Sequence, residues 1–435
     1  MTAFTLKYGP CSVQRVANPD ARKMAAGAMA LIKAGDNDAG FDLAELALNT
    51  DGDCAEAHCA AGIALRHFGE LATAEQAYRR ALALDPANAL YEVNLASLLQ
   101  DTDPANAGIV PMLDRVIAKH PDWVYAQQVL QTALLSQGDL KRGWAVYAER
   151  MKFKYVAAQV CTYDLPDWDG HAHDRVLVVS EEGPGERLMF AGAIPELMAA
   201  GARPIIECRD RFASLAPLFR RSFKGVEAYG SGETFRADSK IIIGDLARRY
   251  RPSFASFPAR TGYLKADPVR TGEIRARLGG GFKVGISWRS LNDVCGRAKT
   301  IPLDLWAPLF DVPGVTFVDL QYGNTTKERA AFPGLVHLDD IDLTDHMEDL
   351  AAATAACDAV ISISSLTAHM AGALGVRCLA LIPAAVGHMW FWFLDRSDCP
   401  WYPRTTLYRQ HQHGDWSRPI EAVAQELRRM ARQAA

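Results

Sequence analysis

The sequence predicts an array of α-helical repeats followed by an α/β region with two parallel sheets. The first observation is a period of about 34 residues over the first third of the chain, at which glycine, alanine, tyrosine and proline recur. The second is a series of short β-branched runs from residue 175 onward that alternate with helical segments, a pattern typical of βαβ units. The third is length, because 435 residues exceed one ordinary domain.

The repeat unit is clearest from Ala55 to Pro86, where Gly62, Ala74 and Tyr78 stand at the spacings of the tetratricopeptide (TPR) pattern. Small residues let two antiparallel helices approach closely, the aromatic ring fills the groove between them, and proline ends the second helix. Turn glycines follow the same period, at Gly35, Gly69 and Gly138.

We therefore predict an N-terminal tail at 1–20 and four TPR repeats at 21–152. Stacked repeats of this kind form a concave groove that usually binds a peptide or protein, so the concave TPR surface is the expected acceptor-binding face. Two other interpretations remain open, a helical bundle without repeat stacking and an array that only dimerises the protein.

Composition excludes several classes of function. The chain is 49% hydrophobic and 23% charged, as in ordinary globular proteins, and its net charge of −4 argues against a general nucleic-acid binder. No stretch reaches the 18 or so uninterrupted apolar residues of a membrane span, and the N-terminus lacks the apolar core of a signal peptide. We expect a cytoplasmic protein, whose nine cysteines are reduced thiols without a CxxC pair.

The helical pattern stops before a polar connector, which we place at 153–174. The strands predicted after it form two series, at 175–180, 204–208, 226–229 and 240–244, and then at 282–288, 315–320, 358–364 and 378–383. We therefore predict two Rossmann-like halves, at 175–265 and 281–435, with a cleft between them.

Several segments resemble bacterial repeat-containing glycosyltransferases. The matching segments are EEGPGERLMFAGAIPEL (181–197), KVGISWRS (283–290), SISSLTAHMAGALGV (362–376) and the closing tail at 395–416. Relatives of that group include the lipopolysaccharide heptosyltransferases and, more distantly, O-linked N-acetylglucosamine transferase. Their fold is GT-B, in which two Rossmann-like domains face a cleft. The resemblance implies that the first half faces the acceptor and the second half binds a nucleotide sugar.

Glu186 is the candidate general base. It follows Gly183-Pro184-Gly185, between a predicted strand and a helix, and the carboxyl edge of a parallel sheet is where open α/β folds bind ligands. The usual family loop reads E-Q-G-x-G-D, so the resemblance places aspartate where this chain has the longer glutamate. An alternative is that Glu186 only interacts with the helix N-terminus, where acids are favoured. Glu182 is a second candidate.

The candidate donor and phosphate site begins at a predicted helix start, with Ser364, Ser365, Thr367 and His369. Backbone N–H groups at a helix start bind anions, and hydroxyl groups add donors. The alternatives are simple capping by Ser365 or Thr367 and a core position for His369.

Two cations complete the predicted site. Lys299 resembles the phosphate-neutralising residue of the family, and Arg289 follows a predicted strand. A solvated surface charge is the alternative for each.

The leading hypothesis is a protein O-glycosyltransferase that moves a sugar from a nucleotide-sugar donor, CMP- or UDP-linked, to serine or threonine of an acceptor protein. Flagellin is a candidate acceptor, because soluble flagellin glycosyltransferases, whose donors are activated nonulosonic acids, are a close likeness. We expect no cofactor and no metal, since no cluster has metal-ligand spacing. The alternatives are a non-catalytic TPR adaptor with a degenerate transferase domain and a transferase that acts on lipopolysaccharide or another cell-surface glycan.

Overall fold

The computed structural model describes residues 18–152, 157, 163–181, 183–209, 212–230, 232–292 and 296–434. The chain divides into two compact units, residues 1–137 and residues 138–435. Each unit has its own architecture.

The first unit consists of helices that pack in sequential antiparallel pairs. They are α1 (Pro19–Lys33), α2 (Asn37–Thr50), α3 (Ala55–Phe68), α4 (Leu71–Leu84), α5 (Ala89–Thr102), α6 (Ile109–Lys119) and α7 (Val124–Ser136). Helix α1 packs on α2, α3 on α4, and α5 on α6. The predicted packing signature is present in the second pair, because a Cβ atom at Gly62 would lie 2.7 Å from the ring of Tyr78.

The second unit begins with α8 (Leu140–Tyr147) and a 3-10 turn at Ala148–Lys152, which the sequence groups with the repeats. Trp144 of α8 donates its indole N–H to the carbonyl of Arg251 at 2.8 Å. Arg150 is buried and pairs with Glu181 at 2.8 Å and with Asp245 at 3.0 Å. These contacts attach α8 and the 3-10 turn to the first α/β half.

The first half contains a four-stranded parallel sheet. Its strands are β1 (Arg175–Val179), β2 (Arg203–Glu207), β3 (Glu227–Tyr229) and β4 (Ser239–Ile242), in the order β3-β2-β1-β4. Its helices are α9 (Pro184–Ala191), α10 (Ile194–Ala199), α11 (Leu215–Ser222) and α12 (Ile243–Tyr250). All four strands lie where the β-branched runs predict them.

The second half contains a five-stranded parallel sheet. Its strands are β5 (Phe282–Ser287), β6 (Val315–Asp319), β7 (Ala359–Ile363), β8 (Arg377–Ile382) and β9 (Thr405–Arg409), in the order β6-β5-β7-β8-β9. Its helices are α13 (Pro268–Arg277), α14 (Gly296–Lys299), α15 (Ala307–Phe310), α16 (Thr326–Ala330), α17 (Met347–Ala355), α18 (Leu366–Leu374) and α19 (Ser417–Ala434). The edge strand β9 is not predicted, because its run of threonine, leucine, tyrosine and arginine is not continuously apolar.

The two halves face each other at the carboxyl edges of their sheets. Helix α9 of the first half packs against α18 of the second. Behind them, the amides of Tyr263 and Leu264 donate to the carbonyl of Ala373 at 2.8 and 2.9 Å, and Gly375, with φ of +74°, brings the backbones together. The predicted fold class, helical repeats followed by a GT-B arrangement of two Rossmann-like halves, is confirmed.

Candidate functional site

A cavity of about 580 Å³ lies between the carboxyl edges of the two sheets. Five predicted site residues line it, namely Glu186, Lys299, Ser364, Ser365 and His369. A larger groove of about 760 Å³ lies at the opposite, amino-terminal edge of the second sheet, and it contains none of the predicted site residues. The smaller cavity is the candidate site, because parallel α/β sheets bind ligands at their carboxyl edges.

Glu186 lies in the first turn of α9. Its carboxylate folds back towards Gly183, where an added Cβ atom would lie 3.1 Å from Oε2, and it accepts a hydrogen bond from its own backbone N–H. Burial raises the pKa of Glu186, while that hydrogen bond and the charge of Lys299 oppose the rise. A raised carboxyl pKa moves the group towards the range in which a general base works best.

Lys299 is the last residue of the short helix α14. Only 7% of the residue is exposed, and its ammonium group has no hydrogen-bond or ion-pair partner within the described part of the chain. The positive charge nonetheless acts on its neighbours, because it lowers the pKa of both Glu186 and His369. Lys299 lines the cavity, and an anion bound there would pair with its charge.

The start of α18 presents backbone amides to the same cavity. Ser365 is the N-cap residue but makes no side-chain capping bond, since its hydroxyl is hydrogen-bonded to that of Ser362 at 3.0 Å. The hydroxyl of Ser364 accepts from the indole of Trp392 at 2.8 Å. Among the described residues no acceptor faces the amide of Leu366, which lines the cavity. The helix start is therefore open to an anionic ligand.

Two predicted ligands lie outside the cavity lining. The hydroxyl of Thr367 is buried and donates to the carbonyl of Leu320 at 3.3 Å. The guanidinium of Arg289 pairs with Glu328 at 2.6 Å and donates to the carbonyl of Asn324. Both groups bond to other parts of the second half, and their predicted roles as ligands stay predictions. Glu182 lies outside the described residues.

His369 is buried at the base of the cavity. Its ring stacks on Trp392, with ring centroids 5.2 Å apart, and its Nδ1 is hydrogen-bonded to the hydroxyl of Tyr402 at 2.9 Å. Burial, with a smaller contribution from Lys299, lowers the pKa of His369 to about 3. The lowered pKa favours the neutral form of the imidazole, and its role in donor binding stays a prediction.

Sequence reasoning missed the apolar wall of the cavity. This wall includes Tyr322, Met347, Met389 and Phe391, and it offers surfaces against which a base or sugar ring can pack. One signal was present, since Tyr322 comes two residues after the predicted strand at 315–320 and so lies at a carboxyl edge. The indole of Trp288, by contrast, is 1% exposed and lies in the core of the second half.

Gln321 connects two segments of the cavity wall. Its side-chain oxygen accepts from the amides of Trp288 and Arg289, and its amide nitrogen donates to the carbonyls of Arg289 and Tyr322.

Within the described residues no group of histidine, cysteine, aspartate or glutamate side chains could hold a metal ion. In the same part of the chain, no helix combines the length and apolar character needed to cross a bilayer.

No model of a known protein family matches the sequence. The chain is 33% identical over 346 residues to a curated protein, Protein FlbA of Caulobacter vibrioides (strain ATCC 19089 / CIP 103742 / CB 15). The match covers 71% of this chain and 56% of the relative, so the chain spans little more than half the length of the relative it matches.

Three solved structures resemble parts of the chain. ADP-heptose lipopolysaccharide heptosyltransferase II of E. coli is 15% identical, with a TM-score of 0.43 over 60% of this chain and 99% of that one. A family 9 glycosyl transferase from Veillonella parvula DSM 2008 is 10% identical, with a TM-score of 0.42 over 61% and 98%. MamA from Desulfovibrio magneticus RS-1 is 16% identical, with a TM-score of 0.28 over 32% and 78%. The fold assignment itself rests on the helix pairs and strand order of this chain.

Proposed function

We propose that this chain is a glycosyltransferase that moves a sugar from a nucleotide-sugar donor to a hydroxyl group of an acceptor protein. The observation that carries the proposal is the ammonium of Lys299, which has no partner among the described residues and lines one cavity together with the carboxylate of Glu186 and the start of α18. A carboxylate beside groups that can bind an anion supplies the base and the counter-charge that glycosyl transfer uses.

The proposed reaction is a single displacement. Glu186 takes the proton of the acceptor hydroxyl as its oxygen attacks the anomeric carbon of the donor. The bond between that carbon and the phosphate oxygen breaks, and the phosphate leaves with the electron pair. Lys299 and the α18 amides stabilise the charge that develops on the departing phosphate. The protein groups supply base and counter-charge, and the apolar wall holds the donor.

The helical repeats are proposed to recruit the acceptor protein, because stacked helix pairs present extended binding surfaces. Flagellin is the acceptor to test first, and CMP-linked nonulosonic acids are the donors to test first. Both candidates come from the family resemblance of the sequence.

Mass spectrometry of flagellin after incubation with the full chain and a donor tests the proposal. CMP-linked nonulosonic acids and UDP-sugars are the donors. The change Glu186→Gln should lower the transfer rate about 100- to 10,000-fold while nucleotide affinity stays the same, because it removes the basic carboxylate and keeps its shape. A matched control is Glu273→Gln, whose side chain is 57% exposed and lies outside the cavity lining.

Calorimetry with the corresponding nucleotides tests the anion site. Lys299→Ala should weaken binding roughly tenfold to a hundredfold, the range for a hydrogen bond to a charged group, whereas exposed Lys224→Ala should leave it unchanged. Full transfer by Glu186→Gln would remove that residue from the mechanism. Nucleotide binding without transfer to any acceptor would favour the adaptor alternative.

A further inference from the structure

A buried carboxylate lies just before the helix that carries the candidate base. Glu181 comes two residues after the end of β1 at Val179 and five residues before Glu186. Its side chain is 0% exposed, and it is not among the residues that line the cavity. The carboxylate of Glu181 therefore faces other parts of the protein and not a ligand in the cavity.

Three hydrogen bonds reach this carboxylate from α8 and the 3-10 turn. Arg150 donates from Nε to Oε2 and from Nη2 to Oε1 of Glu181, both at 2.8 Å. Such a two-pronged pair is strong and fixes direction as well as distance. Tyr147 donates its hydroxyl to Oε1 at 3.0 Å. All three donors belong to a segment that the sequence groups with the repeats.

The two donor side chains are themselves fixed. Arg150 is 3% exposed in its side chain, donates to Asp245 at 3.0 Å, and has its guanidinium 4.0 Å from the centroid of the Tyr147 ring. Gly244 leaves the room that the hydroxyl of Tyr147 occupies, because an added Cβ atom there would collide with that oxygen. Glu181 is therefore held by groups that have little freedom to move.

Helix α9, which carries Glu186, is held near both of its ends. Tyr263 donates its hydroxyl to the carbonyl of Leu188 at 2.6 Å, in the second half of the helix. The bonds to Glu181 act on the chain just before the helix begins. A displacement of about 1 Å at a reacting group can lower a rate about 100-fold, so a base on a short helix depends on how firmly the start of that helix is held.

We propose that Tyr147 and Arg150 are positioning residues for Glu186, because by holding Glu181 they fix the start of α9 and with it the place of the Glu186 carboxylate. The assignment rests on the proposed function, since it takes Glu186 as the base. It gives α8 and the 3-10 turn a task in sugar transfer, in addition to the acceptor binding that the sequence predicts for the repeats.

Hydrogen exchange of the full chain without any ligand tests how the helix is held. Arg150→Lys keeps the charge but loses the two-pronged pair, and Tyr147→Phe keeps the ring but loses the hydroxyl. In both variants the amides of α9, such as Arg187, which donates to the carbonyl of Gly183 at 3.0 Å, should exchange about tenfold faster or more. That is the effect of losing a hydrogen bond to a charged group on local opening. Strands β5 to β9 should exchange at unchanged rates.

Two matched controls make the same chemical changes elsewhere in this unit. Arg248→Lys alters another partner of Asp245, a side chain that is 45% exposed, and leaves the pair at Glu181 intact. Tyr408→Phe removes a tyrosine hydroxyl from β9. Neither control should change the exchange of α9.

Kinetics separate positioning from stability. Arg150→Lys and Tyr147→Phe should lower kcat about tenfold to a hundredfold, whereas KM for the donor and the affinity for the nucleotide stay the same, because the anion site lies in the second half. Added to Glu186→Gln, the change Arg150→Lys should lower the residual rate by less than about twofold, since the group that it positions has already lost its function. A loss of folded protein would lower the rate by the same factor in both backgrounds.

Each opposite result is decisive. Unchanged exchange of α9, or a rise that is equal in β5 to β9, refutes the proposal, and so does an unchanged kcat in variants whose α9 exchanges faster. If Arg150→Lys does not fold, Tyr147→Phe supplies both measurements. If the unaltered chain transfers no sugar from any donor, the proposed function fails, and the exchange of α9 still decides whether Tyr147 and Arg150 hold the start of that helix.

Discussion

Replacing Gly185 with alanine should lower both the stability of the protein and the rate of sugar transfer, although alanine has the higher helix propensity. Gly185 is the second residue of α9, and its φ is not positive. At such a position the change from glycine to alanine usually stabilises a protein by about 0.4–1 kcal/mol. Here the added Cβ atom would lie 2.7 Å from Cδ2 and 3.1 Å from Nε2 of His369.

The size of the effect follows from this distance. Carbon atoms pack best at about 3.5–4.0 Å, so α9 or His369 must move by about 1 Å. His369 cannot move easily, because it is stacked on Trp392 and hydrogen-bonded to Tyr402. Overpacking costs about 1–3 kcal/mol, which leaves a net loss of about 1–2 kcal/mol after the usual gain. A shift of about 1 Å near the reacting groups can also lower the transfer rate about 100-fold.

The assay combines urea unfolding, followed by tryptophan fluorescence, with the rate of sugar transfer. Trp123 is the one tryptophan before residue 138, so the signal reports mainly on the second unit. Gly280→Ala is the control, because nothing lies within 4 Å of a Cβ atom at that position. In a His369→Ala background the same glycine change should cause no further loss of stability, because the ring that the Cβ atom meets is gone. Unchanged stability and rate in Gly185→Ala, or an equal loss when it is added to His369→Ala, would refute the clash.

Two further predictions concern charge. Since Glu186 must be unprotonated to act as a base and its pKa lies above the ordinary 4.5, kcat/KM should fall as pH drops through that raised value. Lys299→Ala removes a charge that lowers this pKa, so the fall should move to higher pH, and an unmoved pH profile would contradict the coupling. Arg150→Ala should cost about 3–5 kcal/mol in urea unfolding, because it leaves buried Glu181 uncompensated. Arg248→Ala, which removes a 45% exposed side chain, should cost less than about 1 kcal/mol, and equal losses would show that burial is not the cause.

The sequence by itself determined the order and type of most elements. Strands buried on both faces of a parallel sheet are continuous runs of β-branched and other apolar residues, so β1 and β7 could be located from such runs in the sequence alone. The close approach of Gly62 to Tyr78 followed from spacing, because helix pairs have a fixed repeat length. The same local logic located Glu186 and the start of α18, which follow directly after strands at a carboxyl edge.

Only the tertiary structure decided which side chains meet, because those contacts join residues far apart in the chain. Arg289 forms an ion pair with Glu328, whereas Lys299 has no partner among the described residues. Tyr402 meets His369 from 33 residues away in the chain. Local sequence sets helix and strand, since those depend on neighbouring residues, whereas the burial and proton state of His369 depend on what the rest of the fold packs around it.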